Sequence, residues 1–166
     1  PGWLTEPEAR LLFESAQRTS GPILEVGCYR GRSTLLLASL GRMVFSVDPF
    51  SGFDDTDPSG DKTRADFLHN VAPAGFNIYL SQCRIEDWPI REVGFAYLDG
   101  DHTYEGTKRQ VEIALACGAQ LICVHDHETP PPGAQAEGGK EIVRAVKDCE
   151  VKLVKVVERM ALCRRK

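Results

Sequence analysis

The sequence lacks the excess of basic residues that nucleic-acid-binding proteins use. Its 20 Lys and Arg residues are outnumbered by 24 Asp and Glu residues, and the formal net charge is −4 at pH 7. Proteins bind nucleic acids largely through Lys and Arg contacts to phosphates, which release counterions. We therefore expect no nucleic-acid partner.

Long apolar runs and paired cysteines are also missing. No apolar run approaches the roughly 18 residues of a membrane span, and the first residues lack the basic and then apolar pattern of a signal peptide. The six cysteines form no C-x-x-C pair, and several lie in apolar stretches. This distribution is typical of buried free thiols in a reducing compartment. We therefore expect a cytoplasmic protein with no membrane partner and no disulfide.

The composition that remains is that of a globular protein. Of its 166 residues, 42% are hydrophobic and 27% are charged. This length is sufficient for one domain with a full core and too short for two ordinary domains. We therefore expect a single domain over residues 1–166.

Predicted strands and helices alternate along the chain. Short apolar runs that end in Gly, Pro or Asp predict strands, and apolar residues at helical spacing predict helices. Alternation of this kind predicts an α/β fold with a mostly parallel, doubly wound sheet, and a last pair of strands predicts an antiparallel hairpin. The predicted strands cover 23–27, 43–48, 77–80, 94–99, 121–124, 151–157 and 160–163; the predicted helices cover 5–18, 28–40, 63–72, 103–116 and 139–149.

The first strand–helix–strand unit has the pattern of a nucleotide site. An acid at the tip of the second strand, here Asp48, accepts hydrogen bonds from ribose hydroxyls in such units. A pyrophosphate needs the three glycines of G-x-G-x-x-G, whereas this turn contains only Gly27 and Gly31 in G-x-x-x-G. The pattern therefore favours a ligand that carries an amino acid moiety over a dinucleotide.

Two later strands end in groups that bind ions or protons. The fourth predicted strand is followed by residues 99–102 (DGDH), and the fifth by residues 125–127 (HDH). The carboxyl ends of neighbouring parallel strands meet at one edge of a sheet, so we expect Asp99 and Asp126 to converge on one divalent cation. His102 is a candidate general base because an imidazole titrates near neutrality.

Two stretches resemble known enzymes. E-x-G-x-Y-x-G-x-S at residues 25–33 is similar to the first motif of catechol-type, metal-dependent O-methyltransferases, and LDGDHTYEG at residues 98–106 resembles a motif of macrolide-sugar O-methyltransferases. With the order of elements, the chain resembles the class I S-adenosylmethionine (SAM)-dependent methyltransferases over nearly its whole length. The resemblance implies their Rossmann-like seven-stranded fold and O-methylation of a small hydroxylated metabolite or sugar.

The resemblance also implies a donor site. Ser33 and the backbone of residues 28–29 would hold the amino acid end of SAM, Asp48 the ribose, and residues 83–85 the adenine. For Asp101 three roles stay open: it orients His102, caps the following helix, or faces the sulfonium of the donor. The implied cofactor-binding residues are Glu25, Gly27, Cys28, Tyr29, Gly31, Ser33, Asp48, Cys83, Arg84, Ile85, Asp99 and Asp101.

The resembling families hold their metal at the positions of Asp99 and Asp126 and at the residue that follows the second acid. That residue is usually Asp or Asn, but here it is His127. We expect Mg²⁺ because it takes oxygen ligands, but imidazole suits Zn²⁺, Fe²⁺, Mn²⁺ or Ni²⁺ better than Mg²⁺. Three alternatives stay open: His127 is a ligand, Glu128 or water completes the shell, or the site is metal-free.

A second function class also stays open. The chain could be an inactive SAM-binding protein that acts as a partner subunit, although four polar residues at strand tips, Asp48, Asp99, His102 and Asp126, favour an enzyme. The loop at residues 49–62 is a candidate substrate lid because long loops beside ligand sites are often functional. A homo-oligomer in which the partner supplies a lid is a further possibility.

Overall fold

The computed structural model describes residues 4–51, 57–127 and 138–166. Glu128 and residues 52–56 of the candidate lid loop lie outside the described residues.

A seven-stranded sheet forms the centre of the protein. Its strands are β1 (Ile23–Val26), β2 (Val44–Val47), β3 (Ile78–Ser81), β4 (Phe95–Leu98), β5 (Leu121–Val124), β6 (Val151–Val157) and β7 (Met160–Arg165). The strand order is β3-β2-β1-β4-β5-β7-β6. Strands β1 to β5 pair in parallel, whereas β7 runs antiparallel to both β5 and β6. The predicted α/β fold with a C-terminal antiparallel hairpin is therefore confirmed.

The helices are α1 (Glu6–Gln17), α2 (Arg32–Ala38), α3 (Asp61–Val71), α4 (Tyr104–Ala116) and α5 (Gly138–Asp148). Helix α1 begins with a capping box, in which Thr5 and Glu8 each accept a hydrogen bond from the backbone amide of the other. Among the described residues, no helix combines the length and the apolar composition that crossing a bilayer requires.

The second helix begins later than predicted. The sequence predicted a start at Cys28, but α2 begins at Arg32. Gly27, Tyr29 and Gly31 have φ angles of 80°, 46° and 85°, which are incompatible with a right-handed helix. Residues 27–31 therefore form a loop at the tip of β1.

The core has two layers, one on each face of the sheet. Along β4, Phe95 and Tyr97 pack on the side of α1 and α2, while Ala96 and Leu98 pack on the side of α4 and α5. Every residue of β1 and β4 is buried, as expected for central strands covered on both faces. All six cysteines are unpaired in this structure, and five of them are buried.

Gly27 allows the tips of β1 and β4 to touch. A Cβ atom at this position would lie 2.1 Å from the carbonyl oxygen of Asp99, closer than real Cβ contacts. The positive φ of Gly27 is a second reason for glycine. The glycine of the loop is therefore needed to bring the end of β4 beside the end of β1.

Glu25 is a fully buried carboxylate in the middle of β1. It accepts hydrogen bonds from three hydroxyl groups, those of Ser33 and Thr34 in α2 and of Ser46 in β2, at 2.6–2.8 Å. Burial raises the pKa of Glu25 to about 7, although the three hydroxyl donors oppose the shift. This carboxylate fixes the start of α2 against the first two strands.

The substitution Gly27→Ala should cost more stability than Gly41→Ala. Both glycines have positive φ, but nothing lies within 4 Å of a Cβ at Gly41. We expect Gly41→Ala to lower the free energy of unfolding by about 1–2 kcal/mol, and Gly27→Ala by about 3 kcal/mol or more, because overpacking adds to backbone strain. Urea denaturation measures both, and equal losses would contradict the close approach of β1 and β4.

The raised pKa of Glu25 predicts that the stability of the folded protein decreases as pH rises. In the unfolded chain this carboxyl titrates near 4.5, and in the folded protein near 7. Between these values folding must keep a proton that the unfolded chain releases, so the contribution of Glu25 to stability decreases as pH rises, by about 3 kcal/mol, and is constant above pH 7. Glu25→Gln should lose this decrease.

The measurement is urea denaturation at pH 5 and pH 8. Glu14→Gln is the matched control because Glu14 is exposed, and it should keep the pH dependence of the wild type. The same pH dependence in Glu25→Gln and in the wild type would show that Glu25 titrates normally in the folded protein.

Candidate active site

A cavity of about 310 Å³ opens at the carboxyl ends of the parallel strands. Its volume is at the lower end of the range of small-molecule pockets. Both groups of predicted site residues contribute to its wall, those for a nucleoside donor and those for proton and metal chemistry. The predicted residues that line it are Gly27, Cys28, Tyr29, Ser33, Asp48, Arg84, Ile85, Asp99, Asp101, His102 and Asp126.

Four predicted site residues do not line the cavity. Glu25 reaches the cavity only through its hydrogen bond from Ser33. A Cβ at Gly31 would meet Val71 and Phe67 at 2.9 and 3.2 Å, so this glycine lets α3 pack against the loop. Cys83 packs against the core, and His127 is buried beyond the tip of β5.

Asp48 holds the loop that follows β1. Its Oδ2 accepts hydrogen bonds from the amides of Cys28 and Tyr29 at 2.9 and 3.0 Å, and its Oδ1 accepts one from the amide of Phe50 at 2.8 Å. The two amides predicted to hold the amino acid end of SAM thus donate to Asp48 in this structure. A carboxylate oxygen has two lone pairs, so Asp48 can still accept from a ribose hydroxyl.

Asp101 accepts a hydrogen bond just before the start of α4. Its Oδ1 accepts a hydrogen bond from the amide of Thr103 at 2.9 Å, and Thr103 itself caps the helix through the amide of Gly106. A Cβ at Gly106 would lie 2.2 Å from the carboxyl carbon of Asp101. The N-cap of α4 is therefore Thr103, and Asp101 holds the amide of that residue instead of capping the helix itself.

Asp99 and Asp126 converge, together with His125. One candidate ligand atom from each of these three residues lies within 4.8 Å of the others. The Nδ1 atom of His125 is 3.2 Å from Oδ1 of Asp99 and 3.3 Å from Oδ1 of Asp126. The parallel pairing of β4 with β5 therefore places the two acids at one point, as the topology predicted.

The third member of this group is His125, and not His127. The amide of His125 continues the β-ladder by donating to the carbonyl of Leu98 at 3.0 Å. Asp126 has a φ of 53°, which turns the chain at the end of the strand. His127 therefore donates its amide to the carbonyl of Arg159 at 2.8 Å, in the turn between β6 and β7.

His102 lies at the open side of the two carboxylates. Its Nε2 is 3.5 Å from Oδ1 of Asp99, and its Nδ1 is 3.7 Å from Oδ2 of Asp126. Burial alone would lower the pKa of His102, but the contacts with Asp99 and Asp126 outweigh it and raise that pKa. Only the neutral imidazole accepts a proton, so with this raised pKa the base form of His102 requires a higher pH than an ordinary histidine does.

Three residues that contact the Asp99–His125–Asp126 group were not predicted from the sequence. The hydroxyl of Tyr97 donates to Oδ2 of Asp99 at 2.9 Å, and Nη1 of Arg159 donates to Oδ1 of Asp126 at 3.0 Å. Glu8 is completely buried and faces His125. Only Tyr97 carried a local signal, because residues two apart on a strand share a face.

The buried charged groups of this cluster shift one another's pKa values. Burial alone would lower the pKa of His125, but Asp99, Asp126 and Glu8 outweigh it and raise that pKa to about 12. Burial alone would raise the pKa of Glu8, but the contact with His125 and the amides of Thr5 and Arg159 lower it to about 2. The pKa of Asp99 is likewise held below its usual range, against burial, by His125 and His102.

Structural comparison finds methyltransferases with the same fold. The O-methyltransferase from Bacillus cereus in complex with SAH (S-adenosylhomocysteine) has a TM-score of 0.69 at 15% identity, covering 99% of this chain and 83% of that one. TomG, an O-methyltransferase of Streptomyces achromogenes in complex with SAM, has a TM-score of 0.66 at 14% identity, covering 98% and 81%. SAH-bound methyltransferase PaMTH1 of Podospora anserina has a TM-score of 0.67 at 15% identity, covering 96% and 78%.

A family comparison covers the part of the chain that builds the cavity. Residues 24–127, more than half of the sequence, match the family described as a methyltransferase domain. These residues contain the loop after β1, the acid after β2, and the clusters after β4 and β5. The resemblance to the class I SAM-dependent methyltransferases is thereby confirmed, and the chain belongs to the methyltransferase-domain family.

Proposed function

We propose that this protein transfers the methyl group of SAM to a hydroxyl group of a small acceptor, such as a hydroxylated metabolite or a sugar. The observation that carries the proposal is that one cavity is lined by two sets of residues. One set, Ser33, Asp48 and Ile85, suits a nucleoside with an amino acid end, and the other, Asp99, His102 and Asp126, suits removal of a hydroxyl proton.

The donor would occupy the side of the cavity nearest β1 and β2. Ser33 lies at the N-terminal end of α2, and Asp48 follows β2, where an acid accepts hydrogen bonds from ribose hydroxyls. Arg84 and Ile85 line the same cavity at the turn after β3 and would flank the adenine. Structural neighbours bind SAM or SAH on the same fold, which supports this placement.

His102 is the proposed general base. It is held near the acceptor side of the cavity by carboxylates on both of its ring nitrogens. A base in this position accepts the proton of the acceptor hydroxyl and so makes the oxygen a stronger nucleophile. Tyr97 and Arg159 fix the two carboxylates from behind, which leaves His102 on the open side of the cavity.

A divalent ion fits the residues at this edge of the sheet. Asp99, His125 and Asp126 offer two carboxylates and one imidazole whose ligand atoms lie within 4.8 Å of one another. The mixture of oxygen and nitrogen ligands suits Mn²⁺, Fe²⁺ or Zn²⁺ better than Mg²⁺, which prefers oxygen alone. When bound, such an ion lowers the pKa of a coordinated hydroxyl and orients it.

We also propose a reducing compartment such as the cytoplasm, which is supported by five buried free cysteines.

Binding of the donor product tests the function itself. We expect isothermal titration to show one SAH molecule bound per chain at micromolar to sub-millimolar concentration, since the cavity is preformed. No heat of binding at millimolar SAH would contradict the proposal.

His102→Ala should lose turnover and keep the donor. Removal of a general base costs about 10²–10⁴ in kcat, whereas the residues proposed to hold SAH lie on other strands. The matched control is His69→Ala, since His69 is exposed on α3, and it should change neither quantity. Methyl transfer from radiolabelled SAM gives kcat, and titration gives SAH affinity. Equal loss of both in His102→Ala would mean that the residue maintains structure.

Removal of the metal should abolish activity reversibly. Protein treated with a chelator should lose methyl transfer and regain it on addition of Mn²⁺, and Asp126→Asn should not regain it because one ligand charge is gone. Asp148→Asn is the control, as Asp148 lies on the exposed end of α5. Full turnover in the chelated protein, together with an active Asp126→Asn variant, would show that the ion takes no part.

A further inference from the structure

We propose that Glu8 is a positioning residue for the candidate metal centre and acts by orienting His125. The inference rests on the proposed function, because it concerns the ion that Asp99, His125 and Asp126 would hold. It adds a residue from α1, which lies outside the part of the chain that matches the methyltransferase family.

Glu8 lies in the first turn of α1, with its carboxylate buried against the tip of β5. The residue is 0% exposed, which is rare for a glutamate without a buried partner. Its Oε2 is 3.4 Å from Nε2 of His125, an ion-pair contact between two buried groups. The same oxygen accepts a hydrogen bond from the amide of Thr5 at 2.9 Å.

The other oxygen of Glu8 holds the turn between β6 and β7. Oε1 accepts a hydrogen bond from the amide of Arg159 at 3.0 Å and lies 3.7 Å from its Nε. The guanidinium of Arg159 in turn donates to Oδ1 of Asp126 at 3.0 Å. Glu8 therefore contacts two residues, His125 and Arg159, that each touch the carboxylate of Asp126.

The contact with Glu8 determines which nitrogen of His125 faces the carboxylates of Asp99 and Asp126. With Nε2 facing Glu8, Nδ1 faces both Asp99 and Asp126, at 3.2 and 3.3 Å. A histidine that ligates a metal with one nitrogen commonly donates the other N–H to a carboxylate, which fixes the tautomer and the ring. Glu8 is placed to accept the Nε2–H of His125 when Nδ1 of His125 ligates an ion.

A role in capping α1 does not account for these contacts. The capping box needs only one carboxylate oxygen of Glu8, for the amide of Thr5. It explains neither the complete burial of the side chain nor the contact of Oε2 with His125. Burial of a charge is costly unless other charges compensate for it. Arg159 supplies such a charge here, and so does His125 while it keeps its second proton, which a bound ion would displace.

The experiment compares Mn²⁺ binding by three variants of the full chain. Glu8→Gln keeps the shape of the side chain and removes its charge. Thr5→Ala removes the side-chain cap of the same helix and leaves Glu8 in place. Glu6→Gln removes one negative charge from the same turn at a side chain that is 88% exposed. Free Mn²⁺ is measured by electron paramagnetic resonance, SAH binding by calorimetry, and folding by thermal melting.

We expect Glu8→Gln to weaken Mn²⁺ binding by about 10–100-fold, as loss of an outer carboxylate does, with SAH affinity unchanged within about threefold. Thr5→Ala should lower the melting temperature but keep the affinity for Mn²⁺ within about threefold, and Glu6→Gln should change neither.

Three results would overturn the inference. In the first, Glu8→Gln binds Mn²⁺ as tightly as the wild type while the wild type binds both Mn²⁺ and SAH; this leaves the proposed function intact. In the second, Thr5→Ala weakens Mn²⁺ binding as much as Glu8→Gln, so that Glu8 acts only through the helix. In the third, the wild type binds no Mn²⁺, which also contradicts the metal part of the proposed function.

Discussion

The neutralisation of buried charges at the ends of β4 and β5 is the constraint on which the rest of the site depends. Asp126 is 3% exposed and Glu8 is 0% exposed, so both acids must find positive partners inside the protein. His125 lies between them and Asp99, and Arg159 contacts both Glu8 and Asp126. Helix α1 and the β6–β7 turn are thereby held against the carboxyl edge of the sheet.

The same edge is shaped from the other side by close backbone contact. Gly27 allows β1 to touch the carbonyl of Asp99, and Asp48 holds the loop after β1 through the amides of Cys28 and Tyr29. The residues proposed to hold the donor and the carboxylates Asp99 and Asp126 consequently line one cavity, although they come from opposite ends of the family match. A methyl group and the oxygen that accepts it must lie within a few ångströms for transfer, and a shared cavity allows this.

Much of this arrangement was predictable from the sequence because it follows from local pattern and parallel topology. Apolar runs located the strands, and their alternation with helices placed Asp99 beside Asp126. The third member of the cluster was not predictable, because the left-handed turn at Asp126 decides whether His125 or His127 faces the acids. Glu8 and Arg159 meet across 151 positions of the chain, and no local pattern reports such a contact.

The central claim is that the donor and the carboxylate–histidine cluster meet in one cavity. A crystal structure of the protein grown with SAH and Mn²⁺, with anomalous diffraction to locate the metal, tests it most directly. The account predicts an anomalous peak bound by Asp99, His125 and Asp126, and SAH with its sulfur directed towards His102 and its ribose at Asp48. SAH bound elsewhere, or with its sulfur directed away from His102, would contradict the account.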